Sequence, residues 1–436
     1  MGSFQMFVIV ICTAINMVDG FDVLAISFTA PDIAREWGVA PVALGVLFSA
    51  GLAGMCLGSL FLSPLADVWG RRAVVNLCVV IISVGMFASS AASGVWELAA
   101  YRLLTGLGIG AMLSSGNTLL SEYSSDRWRN LSISAMVSGY SIGAVIGGSI
   151  AAFLIVEFGW RSAFIFGGAC SAALLPFCLL YLPESIDYIM TSRPPNALAR
   201  VNAILRRLWR PEIDALPAMS RVEESARTVF GVFEPRFLKG TVLICLSFFM
   251  LMLTFYFLLN WIPKNMVDLG FTVQDGIFSS VLINLGGIAG AFMFGYLGSR
   301  IVARNLASYF FVALFVSIVV LASLNANLSL LFAASLVFGF FLVGSMASLY
   351  ATVPMIYPAS VRNTGTGLAI GVGRMGAVVG PYLGGLLIAA GWERLAYYSI
   401  LAVPVLISAM AVRRIPLLGE PPEPSAKAAA SLSNAP

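Results

Sequence analysis

Apolar residues along the chain fall into twelve runs, each close to the roughly 20 residues a helix needs to cross the hydrocarbon core of a bilayer. The runs cover residues 4–28, 42–63, 74–92, 96–120, 132–156, 160–181, 239–262, 276–298, 306–325, 328–352, 363–389 and 394–412. Polar positions collect in the short intervals between runs and in one long segment, 183–238, which divides the twelve into six and six. The pattern predicts an all-α membrane protein of twelve transmembrane helices. Its expected parts are an N-terminal six-helix bundle (1–182), a central loop (183–238), a C-terminal six-helix bundle (239–412) and a disordered Pro/Ala/Ser-rich tail (413–436). The first run follows no Lys or Arg and holds two aspartates, so it is expected to be a retained helix rather than a secretion signal.

Basic residues orient the helices. With the N-terminus inside, 19 of the 25 Lys and Arg fall in inner segments, four (Arg35, Arg161, Lys264, Arg394) in outer ones, and Arg102 and Arg374 within runs. This excess predicts that both termini are cytoplasmic. The interleaved charges of the central loop read as a solvated amphipathic linker at the inner membrane surface.

Composition narrows the chemistry. Hydrophobic residues make up 59% and charged residues 11%, against about 45–50% and about 25% in soluble domains, so nucleic acid is not an expected partner. There is no histidine, which excludes His-held metals, haem on His and Ser-His-Asp or Cys-His triads. The six cysteines lie in apolar runs without C-x-x-C spacing and read as small core residues. Gly106-x-Gly108-x-Gly110 lies inside a run with no strand before it, so it is not a dinucleotide loop, and no G-x-x-x-x-G-K-[ST] occurs. No catalytic constellation, cofactor or metal is expected, and the chain does not read as an enzyme.

The halves repeat one another. Ser63-Pro64-Leu65-Ala66-Asp67-Val68-Trp69-Gly70-Arg71-Arg72 between runs two and three has its counterpart in Gly295-Tyr296-Leu297-Gly298-Ser299-Arg300. The glycine pairs of run five (Gly143, Gly147-Gly148) have theirs in run eleven (Gly380, Gly384-Gly385). Repeated six-helix halves are how many secondary transporters build two bundles that rock about a central site.

The loop ending Leu65-Ala66-Asp67-Val68-Trp69-Gly70-Arg71-Arg72 resembles the signature loop of the major facilitator superfamily, with Ser63 and Val68 replacing its usual Gly and basic residue. Arg102 followed by Gly106-Leu107-Gly108-Ile109-Gly110 resembles that superfamily's fourth-helix motif. Asp19-Gly20-Phe21-Asp22 is similar to the D-G-[FY]-D element of its aromatic acid:proton symporters, the 4-hydroxybenzoate and benzoate permeases. Pro183-Glu184-Ser185, Asn260-Trp261-Ile262-Pro263 and Gly371-Val372-Gly373-Arg374-Met375-Gly376-Ala377 fit the same family. The resemblance spans residues 4–412. It implies a monomeric proton-coupled symporter that imports an aromatic or related small organic acid across a bacterial-type inner membrane by alternating access. A porter for a muconate, lactone or dicarboxylate, or an exporter, is the alternative.

An ionisable side chain within a span costs a few kcal/mol and demands a reason. Asp19 and Asp22 are three residues apart on one helix face, and Arg102 is expected at a similar depth, so an Asp–Arg pair between helices one and four is possible. With no histidine, these carboxylates are the candidates to carry a coupled proton, with Arg102 as counter-charge. Glu122, at the inner end of run four, joins this set or else pairs Arg127 or Arg129. Arg374, near the midplane of run eleven, presents a planar fork suited to a substrate carboxylate; Asn260 and Trp261 are candidates to receive a flat ring and its hydroxyl. Asp67, Gly70, Arg71 and Arg72 are the candidate inner gate, or else the arginines only set topology. The aromatics Phe255, Tyr256, Phe257, Phe338, Phe340, Phe341, Tyr350 and Tyr382 read singly as lipid-facing or packing residues.

Overall fold

A computed structural model describes residues 2–124, 129–216, 231–298, 301, 303–324, 327–357 and 359–416. Twelve of its helices are long and apolar enough to cross a membrane. They are α1 (Ser3–Trp37), α2 (Pro41–Leu57, continued by a π-helical stretch Gly58–Leu62), α3 (Arg71–Ala91), α4 (Val95–Tyr123), α5 (Arg129–Phe158) and α6 (Arg161–Tyr181), followed by α7 (Pro235–Asp268), α8 (Val273–Gly298), α9 (Ala303–Ser323), α10 (Leu328–Thr352), α11 (Ala359–Ala389) and α12 (Arg394–Arg413). The protein is an integral membrane protein. The expected disordered tail beyond residue 416, together with Arg127, Ser299 and Arg300, lies outside the described residues.

Two helices run well past their apolar runs. Helix α1 continues from residue 28 to Trp37, through Pro31. Its last turns are polar, with an Asp32–Arg35 ion pair at 2.5 Å, and Glu36 accepts hydrogen bonds from Trp160 Nε1 at 2.6 Å and Arg161 at 2.9 Å. Hydropathy stops where the helix leaves lipid, while its backbone hydrogen bonds continue. Helix α7 likewise starts at Pro235, a residue suited to a first helical position, and passes Pro263 before ending at Asp268.

Helices α1–α6 and α7–α12 form two bundles built on the same close contacts. A Cβ on Gly143 of α5 would lie 1.8 Å from the Met17 carbonyl oxygen of α1; one on Gly380 of α11 would lie 2.1 Å from that of Leu253 in α7. The α2–α4 pair (Gly58 on Leu107 O, Gly110 on Met55 O) is matched by α8–α10 (Gly290 on Phe340 O, Gly339 on Ile283 O). Lipid supplies no hydrophobic drive between helices, so backbone-to-backbone packing over small residues supplies the cohesion. Gly143→Val is therefore expected to reduce the yield of monodisperse, detergent-purified protein at least tenfold on size-exclusion chromatography. Gly94→Ala, where a Cβ meets nothing within 4 Å, is expected to leave it unchanged.

The bundles meet at the face opposite the one carrying the central segment, here the far face. Gly45 of α2 and Gly385 of α11 pack backbone to backbone. Ser49 Oγ donates to Val378 O at 2.7 Å, Ser27 Oγ donates to Asn260 Oδ1 at 2.8 Å, and Phe48 meets Trp261 edge-on at 5.3 Å. Toward the linker face, Gly367 and Gly371 of α11 have nothing within 4 Å of a Cβ. The bundles are closed at the far face, and α11 has open space beside Gly367 and Gly371 toward the linker face.

In the central segment, short helices Ile186–Ser192 and Ala197–Arg207 bury Ala197, Val201 and Ile204 and leave the arginines in solvent.

Candidate functional site

The Asp19-Gly20-Phe21-Asp22 stretch lies at the middle of α1, and each of its residues has a distinct neighbour. Gly20 packs on the Tyr140 carbonyl of α5, and Phe21 fits against Gly147 and Gly167 and edge-on to Phe166 at 5.4 Å. Asp22, fully buried, takes Arg102: Nη1 to Asp22 Oδ1 is 2.8 Å and Nη2 to the Asp22 carbonyl oxygen is 2.7 Å. Met86 Sδ accepts from Nη1 at 3.0 Å, and the guanidinium lies 5.7 Å from the Phe164 ring centroid.

The Asp–Arg pair between helices one and four thus falls on Asp22, not Asp19. Residues three apart lie about 60° apart around the helix and nearly one turn apart along it, so the two carboxyls share a face yet meet different neighbours. Asp19 is 1% exposed, and neither of its oxygens has a hydrogen-bond partner. Asn16, one turn toward the linker face, donates to Met136 O at 2.5 Å and has an unpartnered Oδ1.

Between the bundles a second group forms around Arg374. Gly373 and Gly376 seat α11 on α7 at Phe248, Met252 and the Phe249 carbonyl. That contact places Arg374 on the open face it shares with Gly367 and Gly371. Its guanidinium is close enough to the hydroxyls of Tyr140 (α5), Tyr256 (α7) and Tyr350 (α10) to act on them electrostatically. Tyr140 and Tyr256 bring their hydroxyls together from opposite bundles, and Tyr140 Oη has no partner at hydrogen-bonding geometry. Tyr140 is also within electrostatic reach of Asp19. No carboxylate pairs with Arg374 among the described residues. A planar cation with phenolic hydroxyls within its electrostatic reach suits a carboxylate attached to a flat ring.

None of these tyrosines stands out in the sequence as a site residue, and Tyr256 and Tyr350 read there as lipid-facing or packing residues. The usable signal was a hydroxyl within an apolar span: Tyr140 lies between Gly139 and Ser141, and Tyr256 lies one turn from Asn260.

Asn260 and Trp261 are not brought to Arg374. Asn260 has both amide atoms engaged, by Ser27 and by the Tyr256 carbonyl at 2.7 Å. Trp261, 1% exposed, donates from Nε1 to Pro381 O at 3.0 Å. Pro381 lies seven residues past Arg374, about 10 Å along α11. Both residues belong to the far-face seam.

Glu122 is not brought to the acidic pair either. It lies 20 residues beyond Arg102, about 30 Å along α4. It pairs with Arg71 Nη1 at 2.5 Å and accepts from Ser185 Oγ at 2.9 Å and Ile186 N at 3.0 Å. Gly70 has φ +96°, and the Glu184 carboxylate occupies the space a Cβ would take. Glu184 Oε1 accepts from the backbone N–H groups of Arg72 (3.0 Å) and Ser185 (2.9 Å), and the Arg72 guanidinium donates to Leu179 O. Arg71 thus ties the start of α3 to the end of α4, and Arg72 ties it to the end of α6, within one bundle. The Asp67 side chain lies outside what the structure describes.

The sequence profile of the Major Facilitator Superfamily matches residues 12–327 and 244–435. The chain belongs to this superfamily. Among its relatives, the gallate transporter of Pseudomonas putida is 32% identical over 94% of this chain and 91% of its own length. The 4-hydroxybenzoate transporter PcaK of Acinetobacter baylyi is 31% identical over 94% and 91%. Within the superfamily the chain groups with these aromatic acid permeases, among transporters rather than enzymes. The inward open conformation of the xylose transporter XylE from E. coli has the same fold, with a TM-score of 0.75 over 98% of this chain and 99% of that one at 14% identity.

Proposed function

We propose that this facilitator is a proton-coupled symporter that imports a small aromatic acid across a bacterial inner membrane by alternating access. The observation that carries the reading is Arg374. It is a cation with no carboxylate partner among the described residues, within electrostatic reach of tyrosine hydroxyls from both bundles. The names of the relatives at about 30% identity support an aromatic substrate. The excess of basic residues supports a cytoplasmic linker face, which makes the described state inward-facing.

In this scheme residues 1–182 and 239–412 are the rocking bundles and 183–238 their tether. From the outward-facing state, a carboxylate enters and docks on the Arg374 fork, with its ring among Tyr140, Tyr256 and Tyr350. Asp22 has its counter-charge in Arg102. Asp19 has none, and a proton is the neutraliser within reach. Because Asp19 and Arg374 both lie within electrostatic reach of Tyr140, a proton at one site and an anion at the other enter as a neutral load. That lowers the cost of closing apolar walls around them. The far-face seam, including Asn260 and Trp261, seals as the Asp67–Arg72 region parts.

The test is uptake of labelled benzoates, hydroxybenzoates and muconates by cells expressing the chain, with and without a protonophore. Accumulation of aromatic acids that collapses at least tenfold with the protonophore is expected. Accumulation of muconate alone, or protonophore-insensitive uptake, would overturn the substrate or the coupling respectively.

A further inference from the structure

We propose that Asn16 is a positioning residue for the coupled proton: its side-chain oxygen, fixed in place from α5, is the acceptor that keeps the proton on Asp19 while the carrier is loaded. This deepens the proposed function and rests on its reading of Asp19 as the coupled acid.

Asn16 and Asp19 are three residues apart on one face of α1. Both line a single small cavity between α1, α3, α4 and α5, with room for about one water. Apart from the Cys12 thiol, the other residues around it are apolar or glycine. Asn16 is 4% exposed and Asp19 1%. The Asn16 amide is held at one edge, where Nδ2 donates to the Met136 carbonyl oxygen of α5 at 2.5 Å. A carbonyl oxygen can only accept, so this contact fixes which edge of the amide is which. The edge left over is Oδ1, an acceptor without a protein partner, and neither Asp19 oxygen has one either. Helices α1 and α5 belong to the same bundle, so the amide keeps its aim as the bundles rock.

The supply of hydrogens sets the direction of the effect. Charged Asp19 and Asn16 together present three acceptor oxygens, whereas one water brings two hydrogens. The carboxylate state is therefore a donor short in a place where buried polar atoms need partners. A proton on Asp19 closes the deficit. Its O–H donates to the water, and the water donates to Asn16 Oδ1 and to the second Asp19 oxygen. Without the amide oxygen, the same water could serve both carboxylate oxygens, and Asp19 would give up its proton more readily. The other charged and titratable groups within reach of Asp19 are Asp22 with its Arg102, the Cys78 thiol of α3 and the Tyr140 hydroxyl of α5. Cys12, which shares the cavity, is backed by Cys178 of α6.

The test is exchange of labelled for unlabelled 4-hydroxybenzoate by the full-length chain in liposomes, with the pH equal on both sides and varied together. Exchange needs Asp19 protonated, so its rate falls above a midpoint pH, and each variant is normalised to its own maximum. Asn16→Leu keeps the volume and removes the acceptor. Its midpoint is expected about one pH unit lower than wild type, the size of one hydrogen bond. Asn16→Thr should recover at least half of that shift. A threonine hydroxyl in this helix donates to the carbonyl four residues back, as Thr13 does to Ile9 at 2.8 Å, which leaves its oxygen as an acceptor. A midpoint in Asn16→Leu that stays or rises, or one in Asn16→Thr as low as in Asn16→Leu, overturns the role. Should Asn16→Leu fail to fold, Asn16→Ala is expected to move the midpoint the same way, and an unmoved midpoint there overturns it. Failure of the underlying reading looks different. It shows as wild-type uptake without proton movement, or as proton-driven accumulation that survives in Asp19→Asn, and either result also removes the role of Asn16.

Discussion

Arg374→Ala should lower the kcat/KM for uptake of an aromatic acid by roughly two to three orders of magnitude. Hydrogen bonds to charged groups are each worth about 1.5–3 kcal/mol, and a forked guanidinium–carboxylate contact makes two of them. A loss of about 3–4 kcal/mol corresponds to a factor of several hundred. Arg374→Lys keeps the charge but not the fork, and is expected to retain about a tenth of wild-type transport. Because no carboxylate pairs with Arg374 among the described residues, the alanine variant strands no buried acid. It should therefore be produced in normal amount with an unchanged melting temperature, so that the loss is one of binding. The measurement is initial uptake over a range of substrate concentrations in both variants. Transport by the alanine variant within threefold of wild type would remove Arg374 from the site.

The second large effect is expected at the Asp22–Arg102 pair, and it separates stability from coupling. Arg102→Ala leaves Asp22 as a fully buried carboxylate without its cation. Removing one partner of such a pair costs about 3–5 kcal/mol, so the melting temperature in detergent should fall by several degrees. Replacing both, Asp22→Asn with Arg102→Met, removes two charges together and should recover most of that loss. Coupling is read in the single variant at Asp22. With Asp22 neutralised alone, Arg102 is free to turn to the other acid of the same helix, Asp19, and to compensate it in place of a proton. Asp22→Asn is therefore expected to lose gradient-driven accumulation at least tenfold while still exchanging labelled for unlabelled acid. Normal accumulation by Asp22→Asn would take this pair out of the coupling scheme.

These expectations differ in how far the chain alone leads to them. The acidic pair, Arg102 and Arg374 stand out in sequence because charge within a 20-residue apolar run is rare and costly. Which aspartate meets Arg102 does not, since residues three apart share a helix face and the rotation and height of the helix select between them. Glu122 shows a similar limit. Its position at the end of a span is legible, but its partners are Arg71 on α3 and Ser185 beyond α6, set by how three helix ends converge. The motif that holds Asn260 and Trp261 does not reveal their partners, Ser27 and the Pro381 carbonyl, which come from helices far away in sequence. Tyr140 carried almost no signal, since a tyrosine in a span is ordinary until a second tyrosine and an arginine from the other bundle face it.

Length and polarity along the chain were enough to establish twelve spans, their division into two sixes and their membrane setting. Each of these follows from the cost of exposing backbone and charge to hydrocarbon, which acts on every segment separately. The glycines carried more, because a missing Cβ marks where backbones touch, although not which ones. Folding decided the rest: that α1 and α7 run beyond their apolar runs, that Asp22 is compensated and Asp19 is not, and that Arg374 faces tyrosines drawn from both bundles. Those features depend on helix rotation and on contacts between helices far apart in sequence, where differences of an ångström determine which polar atoms find a partner and which are left for a ligand, a water or a proton.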